Sequence, residues 1–489
     1  MKLYNTLTKK LEEVAPINNN PDREIGFYSC GPTVYDFTHL GHLRKYTMDD
    51  VLVRALRNNG FRVKYVENIT DVGHLTSDSD TGEDKLEKGA KKYKMSVWDL
   101  AHKFENFFWH SMDLMGNQKP DLICKVTDYI EEQIEMVKTL EEKGFTYIIE
   151  GDGVYFDTSK LADYGKLARL NLEELKEGAR IGMVAGKKNP TDFALWKFER
   201  EGENRAMAWE SPWHKRSFPG WHLECSAISI AHLGEQFEIH TGGIDHIPVH
   251  HTNEIAQAEA TTGKKPFVKI WVHHNFLQVE GEKMSKSLGN FFTIDDVIER
   301  GFDPMALRLL FLSAHYRGEL NFTWDSLEGM QKAWEKLNRF IQYILKSSEF
   351  NQDLSVSKSA EVKKYSEQFF SHIANDLDTV QALATMWEMI KDESLSEEER
   401  YLLLLEFDQV LGLGLENIRQ NTGDNEEIPP EVQALLDERQ KARQKRDWPK
   451  SDELREKIAE LGFRVLDREL EQVVEKIPSN ELSEARIEK

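Results

Sequence analysis

The apolar positions of this chain change period close to where its chemistry begins. Ile25, Phe27 and Tyr28 are apolar and run into Cys30-Gly31-Pro32, a turn-forming group. From Gly41 the period becomes helical: Leu43, Val51, Leu52 and Leu56 are available for one face, and Asn58-Asn59-Gly60 ends the run. Phe61, Val63 and Tyr65 then alternate within residues 61–69, as in a strand. The pattern predicts one βαβ unit, which places its ligand at the carboxyl ends of the strands.

Further along, residues 77–94 are charged and contain glycine, so a mobile loop is expected. Amphipathic helices are predicted over 97–115 and 127–143, and a hairpin over 145–156 with Gly151-Asp-Gly153 in its turn. A short strand over 237–240 precedes a glycine turn, Thr241-Gly-Gly-Ile-Asp245, and a helix runs from His250 to Gly263. Residues 267–279 are mostly apolar, and helices dominate from 303 to about 418. A polar, proline-terminated linker over 420–430 opens a last small domain. That domain has a basic helix up to Arg446, a break at Trp448-Pro449, a helix over 451–461 and a strand over 463–466.

A length of 489 residues implies several cores. No apolar run is long enough to span a membrane, and the opening Met1-Lys-Leu-Tyr-Asn5 has no signal-peptide core, so a cytoplasmic location is expected. Cys30, Cys124 and Cys225 are the three cysteines and are far apart. They suit a reducing compartment, with thiols kept for metal or chemistry. The net charge of −22 argues against indiscriminate nucleic-acid binding but leaves room for local basic patches.

Candidate chemistry sits at the element ends. His39 and His42 stand where the first helix begins, and backbone N–H groups there favour a phosphate. Gly41 between them would let a flat base approach the backbone. Thr70 follows the second strand, where these residues by themselves favour a turn that caps the strand. His250 and Glu254 are four apart on a helix start, so both point to one face. Two thiols, an imidazole and a carboxylate suit Zn²⁺. On chemistry alone, buried structural thiols and a capping carboxylate stay open as the alternative.

His39-Leu-Gly-His42 resembles the HIGH motif of class I aminoacyl-tRNA synthetases, and Lys283-Met-Ser-Lys-Ser287 matches their KMSKS loop. With Cys30 just before the first motif, the chain resembles the cysteinyl-tRNA synthetases from about Leu3 to about Asp467. The resemblance implies an α/β fold: a Rossmann-type parallel-sheet catalytic domain with an inserted connective polypeptide, then a helical domain and a small anticodon-binding domain. The corresponding boundaries are 1–115 and 213–325 for the two catalytic halves, 116–212 for the insertion, 326–425 for the helices and 426–489 for the last domain. It implies a ligase that activates L-cysteine with ATP and transfers it to tRNA(Cys). One Zn²⁺ per chain is expected, together with Mg²⁺ on ATP. The protein is expected to be a monomer with no membrane association.

By the same resemblance, His39, His42, Lys283 and Lys286 are catalytic, and Gly41, His240, Gly242, Gly243, Asp245 and Lys286 contact ATP or the adenylate. Gly31, Thr70 and Trp221 surround the cysteine, and Cys30, Cys225, His250 and Glu254 bind the metal. Arg443, Trp448, Asp452 and Asp467 read the anticodon, the first two within the basic stretch 438–450. The chain departs from the family pattern in three places. Val249 stands between the proline and the histidines, Thr252 replaces an acid, and His246 is an extra imidazole. His246 or His251 therefore stays open as an alternate ligand. Residues 213–219 lack the usual glycine-containing turn, and Arg468-Glu-Leu-Glu-Gln472 replaces the usual tail. Two alternatives remain at this point: a cysteine–aminosugar ligase of the mycothiol type, and a non-catalytic tRNA-binding paralogue.

Overall fold

The computed structural model describes residues 1–17, 24–73, 84–170, 185–284, 289–346, 359–418, 429–444, 448–467 and 472–476. Its centre is a five-stranded, wholly parallel sheet. The strand order is Val268–His274, Phe237–Gly243, Glu24–Ser29, Arg62–Ile69 and Leu122–Lys125. Glu24–Ser29 continues to one side through Arg62–Ile69, and Phe237–Gly243 continues to the other through Val268–His274. The order therefore switches between Glu24–Ser29 and Phe237–Gly243, and a cleft opens at their carboxyl ends.

Helix Leu40–Asn58 connects the first two strands as predicted. It is buried on nearly every side, charged residues included: Arg44, Asp49 and Asp50 are each at most 2 % exposed. Each has its partners. Asp49 accepts from Ser29 Oγ at 2.9 Å and Thr241 Oγ1 at 3.0 Å, and pairs with His274 Nε2 at 2.8 Å. One carboxylate thus fastens the carboxyl ends of three adjacent strands. Asp50 pairs with Arg308 at 2.5 Å, and Arg308 also donates to the carbonyls of Met115 (2.9 Å) and Leu411 (2.6 Å). That guanidinium joins helices Leu40–Asn58, Pro304–Leu312 and Glu397–Leu411. Desolvation makes such groups costly unless every donor is used, and here they are hydrogen-bonded.

Several expectations need correction. Strand Phe237–Gly243 carries through both glycines, so the turn begins only at Ile244. Helix Lys85–Tyr93, capped by Asp84, lies within the stretch read as a mobile loop; residues 74–83 are outside the described residues. Leu122–Lys125, within the stretch read as inserted, pairs with Arg62–Ile69 in the central sheet. A separate antiparallel sheet runs Thr146–Ile149, Gly153–Phe156, Phe193–Phe198, Ser217–Pro219. At the far end Trp448 and Pro449 open helix Trp448–Glu460 instead of breaking it, because proline suits a first turn where its N–H is not needed. Strand Phe463–Asp467 pairs with Gln472–Lys476, so the divergent tail still makes a final strand.

Candidate active site

The cleft floor is built from the ends of three elements. Cys30 follows strand Glu24–Ser29, Cys225 lies in the first turn of helix Leu223–Leu233, and His250 begins helix His250–Thr262 with Glu254 one turn on. Cys30 Sγ stands 4.0 Å from Cys225 Sγ and 3.5 Å from His250 Nε2. Zn–S bonds of about 2.3 Å at a tetrahedral angle would put two sulfurs about 3.8 Å apart and a sulfur and imidazole nitrogen about 3.6 Å apart. The three donors therefore fit a tetrahedral zinc with little movement. Glu254 stands beside this group: its Oε1 lies 2.9 Å from His250 Nε2, while its Oε2 takes a hydrogen bond from His240 Nε2 at 2.8 Å.

Electrostatics favours a cation here. The Cys30 thiol is held well below its ordinary value, first by a hydrogen bond from Cys225 and then, against the cost of burial, by His246 and His250. Cys225 is pushed up by burial and by the negative charge of Cys30. Burial opposes a charge on His250, yet Cys30 and Glu254 outweigh it and raise the imidazole well above its usual value. Burial likewise works against the Glu254 carboxylate, which His240 and His250 hold down.

His39 caps the helix with its ring. Nδ1 accepts from the N–H groups of Gly41 (3.1 Å) and His42 (3.3 Å), which leaves an N–H on Nε2 as the outward donor. A Cβ on Gly41 would stand 3.0 Å from the His39 ring, so the glycine makes room for the imidazole. The exposed His42 ring stacks on His39 at 3.6 Å. Two contacts bring the segment that follows the second motif here. Leu40 N–H donates to Phe292 O at 2.9 Å, and the rings of His39 and Phe291 meet edge-on at 5.2 Å. Lys286 lies outside the described residues; Lys283 is placed only by its backbone, in strand Glu282–Lys283.

Gly31 is a steric requirement, since a Cβ there would meet Asn68 O at 1.5 Å. Thr70 is buried, accepts from Asn68 Nδ2 at 2.9 Å, and ties down Pro32 and Val34 through its backbone. Trp221 stacks on His222 and reaches His250 at 6.2 Å between centroids. Asp245 is exposed, and a Cβ on Gly243 would meet its carboxylate at 2.2 Å. His240, expected to contact ATP, is fully buried between Trp271 and Glu254 and bonds inside the protein through both nitrogens.

Two residues in the site gave no sequence signal. Asn68 Oδ1 accepts from Gly31 N–H at 2.9 Å and Tyr28 O–H at 3.1 Å, and lies 3.7 Å from Cys225 Sγ. His222 Nδ1 lies 2.8 Å from His250 Nδ1.

Comparison with known proteins agrees with this geometry. The class I (C) tRNA synthetase catalytic domain matches residues 16–332, and the cysteinyl-tRNA ligase anticodon-binding domain matches residues 425–474. A cysteine–tRNA ligase of Treponema denticola is 40% identical over 96% of this chain and 98% of its own. One from Burkholderia lata is 42% identical over 96% and 95%. The chain belongs to the cysteine–tRNA ligase family. The solved methionyl-tRNA synthetase of Mycobacterium tuberculosis shares the fold, with a TM-score of 0.59 at 14% identity over 81% of this chain and 93% of that one.

The ligase fold carries its proposed anticodon residues on the small last unit. Arg443 ends helix Pro430–Gln444, and Asp452 is exposed on helix Trp448–Glu460 with Arg455 at 3.8 Å. Trp448 and Asp467 are placed by backbone only, at a helix start and a strand end. No helix among the described residues is long and apolar enough to cross a membrane.

Proposed function

We propose that the chain joins L-cysteine to tRNA(Cys) in two steps at the cleft between strands Glu24–Ser29 and Phe237–Gly243. The observation that carries this reading is the thiol–imidazole set at the end of strand Glu24–Ser29, the strand that leads on to the His39 cap and its contact with Phe291. In the first step the cysteine carboxylate oxygen attacks the α-phosphorus of ATP, and pyrophosphate leaves with the former bridging oxygen. In the second, a hydroxyl of the terminal adenosine attacks the carbonyl carbon and AMP leaves. No protein nucleophile is needed, so positioning and charge carry the catalysis.

His39 donates from Nε2 to the phosphates, with His42 beside it. Lys283 and Lys286 balance the charge gathering on the leaving pyrophosphate, which carries Mg²⁺. Gly242, Gly243 and Asp245 border the adenosine, and Gly31, Thr70 and Trp221 enclose the amino acid. Cys30, Cys225, His250 and Glu254 would hold zinc, which when bound would favour a thiolate over a hydroxyl and so separate cysteine from serine. Size alone discriminates such substrates poorly. Arg443, Trp448, Asp452 and Asp467 contact anticodon bases, which separates this reading from an aminosugar ligase. Three buried free cysteines suit a reducing, cytoplasmic setting.

Cysteine-dependent ATP–pyrophosphate exchange together with charging of tRNA(Cys) tests the proposal. Exchange without charging would overturn the tRNA step. Neither reaction in a folded, zinc-loaded sample would overturn the whole.

A further inference from the structure

Cys30 belongs to a second group of metal-capable side chains. Its Sγ and ligand nitrogens of His246 and His251 all lie within 4.8 Å of one another. His251 is fully buried, and its Nε2 has no hydrogen-bond partner. His246 is half-buried, but its Nδ1 is enclosed and also without a partner. A buried polar atom left unpaired is costly. Two such nitrogens beside one thiol call for a ligand.

The surrounding hydrogen bonds prepare His251 for that role. Its Nδ1 lies 2.8 Å from His273 Nε2, and His273 Nδ1 lies 2.8 Å from Thr6 Oγ1. When His273 donates to Thr6, its Nε2 accepts the proton of His251 Nδ1–H. His251 Nε2 then presents a bare lone pair, the tautomer a metal-bound imidazole needs. Gly242 gives both rings their space: a Cβ there would stand 2.4 Å from His251 Cε1 and 2.8 Å from His246 Nδ1.

We propose that Cys30, His246 and His251 form a second transition-metal position, with the Cys30 thiolate shared between it and the set containing Cys225 and His250. One thiolate and two imidazoles suit Zn²⁺. Tetrahedral ligation sets such donors about 3.3–3.7 Å apart, inside the 4.8 Å that encloses them. The charge balance allows a second cation, because two thiolates and the Glu254 carboxylate exceed the charge of one Zn²⁺. The inference goes beyond the single-zinc reading, which rests on Cys30, Cys225, His250 and Glu254 and gives His246 and His251 at most an alternate place at that one ion.

The test titrates Zn²⁺ into the metal-stripped full-length chain and counts bound equivalents by mass spectrometry after gel filtration. Co²⁺ absorption follows thiolate ligation on the same proteins, and circular dichroism checks each fold. The expected result is two equivalents in the wild type, one in His246→Ala, one in Cys225→Ser, and two again in His246→Cys, which restores a soft ligand. Saturation of the wild type at one equivalent would overturn the second position and leave the single-zinc reading standing. Retention of the second equivalent in His246→Ala would also overturn it, by placing that ion elsewhere. No uptake at all would overturn both.

Discussion

His222 Nδ1 lies 2.8 Å from His250 Nδ1, and this contact selects the nitrogen that His250 turns to the thiols. With Nδ1 committed to His222, Nε2 faces Cys30 at 3.5 Å and Glu254 at 2.9 Å. Removing an outer partner of a metal-bound histidine typically weakens the metal about 10–100-fold. His222→Ala should therefore lose zinc to a chromogenic chelator at about 10–100-fold lower chelator concentration than the wild type. Retention equal to the wild type would show that His222 does not orient the ligand.

Asn68 supports the pocket from below. It anchors Gly31 N–H, Tyr28 O–H and Thr70 Oγ1, and it is fully buried. Asn68→Ala leaves these groups unpaired, at a cost of about 1–3 kcal/mol in denaturant unfolding. It also frees the backbone beside Cys30, so the KM for cysteine in pyrophosphate exchange should rise while the KM for ATP changes little. Equal increases in both would assign Asn68 to general stability instead.

These two residues show where the sequence stopped being informative. The strand–turn–helix around His39 was legible because local periodicity and a local cap define it. Cys225, His250 and Glu254 were named through the family resemblance, since only His250 and Glu254 share a helical spacing and Cys225 stands on another helix. Asn68 was not, since strand Arg62–Ile69 is buried on both faces toward its end and a polar residue there breaks the pattern without naming a partner. Asp49 and His274 form their pair across 225 positions, a distance no local pattern encodes. Gly242 and Gly243 read as a turn by composition, yet pairing with strand Val268–His274 holds both in the sheet.

Glu67 carries the clearest pH signature. Burial pushes its carboxyl up to about 7, against the partial relief of Lys45 and the hydrogen bond from Tyr65. The folded value lies above the unfolded one, so the fold favours the protonated form. This contribution is fully present below about pH 4.5 and is lost as pH rises through about 7. Its full span is of order 3 kcal/mol. Glu67→Gln removes the titration, so the stability difference between variant and wild type should shift toward the variant between pH 5 and pH 8, about the window these values define. Urea unfolding across that range measures it. A difference that stays constant with pH would show that Glu67 titrates near its ordinary value.

Arg44 makes the last prediction, because it couples the two motifs through the backbone. It stands one turn into helix Leu40–Asn58 and donates to four carbonyls: Asn275 at 3.1 Å, Phe276 at 2.7 Å, His315 at 3.2 Å and Gly318 at 2.7 Å. Burial lowers its guanidinium to about 10, so it stays charged at neutral pH. Phe276 leads directly into strand Leu277–Val279, which pairs with Glu282–Lys283 at the base of the lysine loop. Arg44→Ala leaves those acceptors without a donor and should lower stability by about 2–4 kcal/mol. Arg44→Lys keeps the charge and up to three donors, so it should recover most of the stability. It cannot reproduce the planar fork, so the base of the lysine loop should stay misplaced and the kcat of pyrophosphate exchange should remain about tenfold low. The comparison is thermal unfolding against exchange kinetics on both variants. Full recovery of kcat in Arg44→Lys would reduce Arg44 to a packing role.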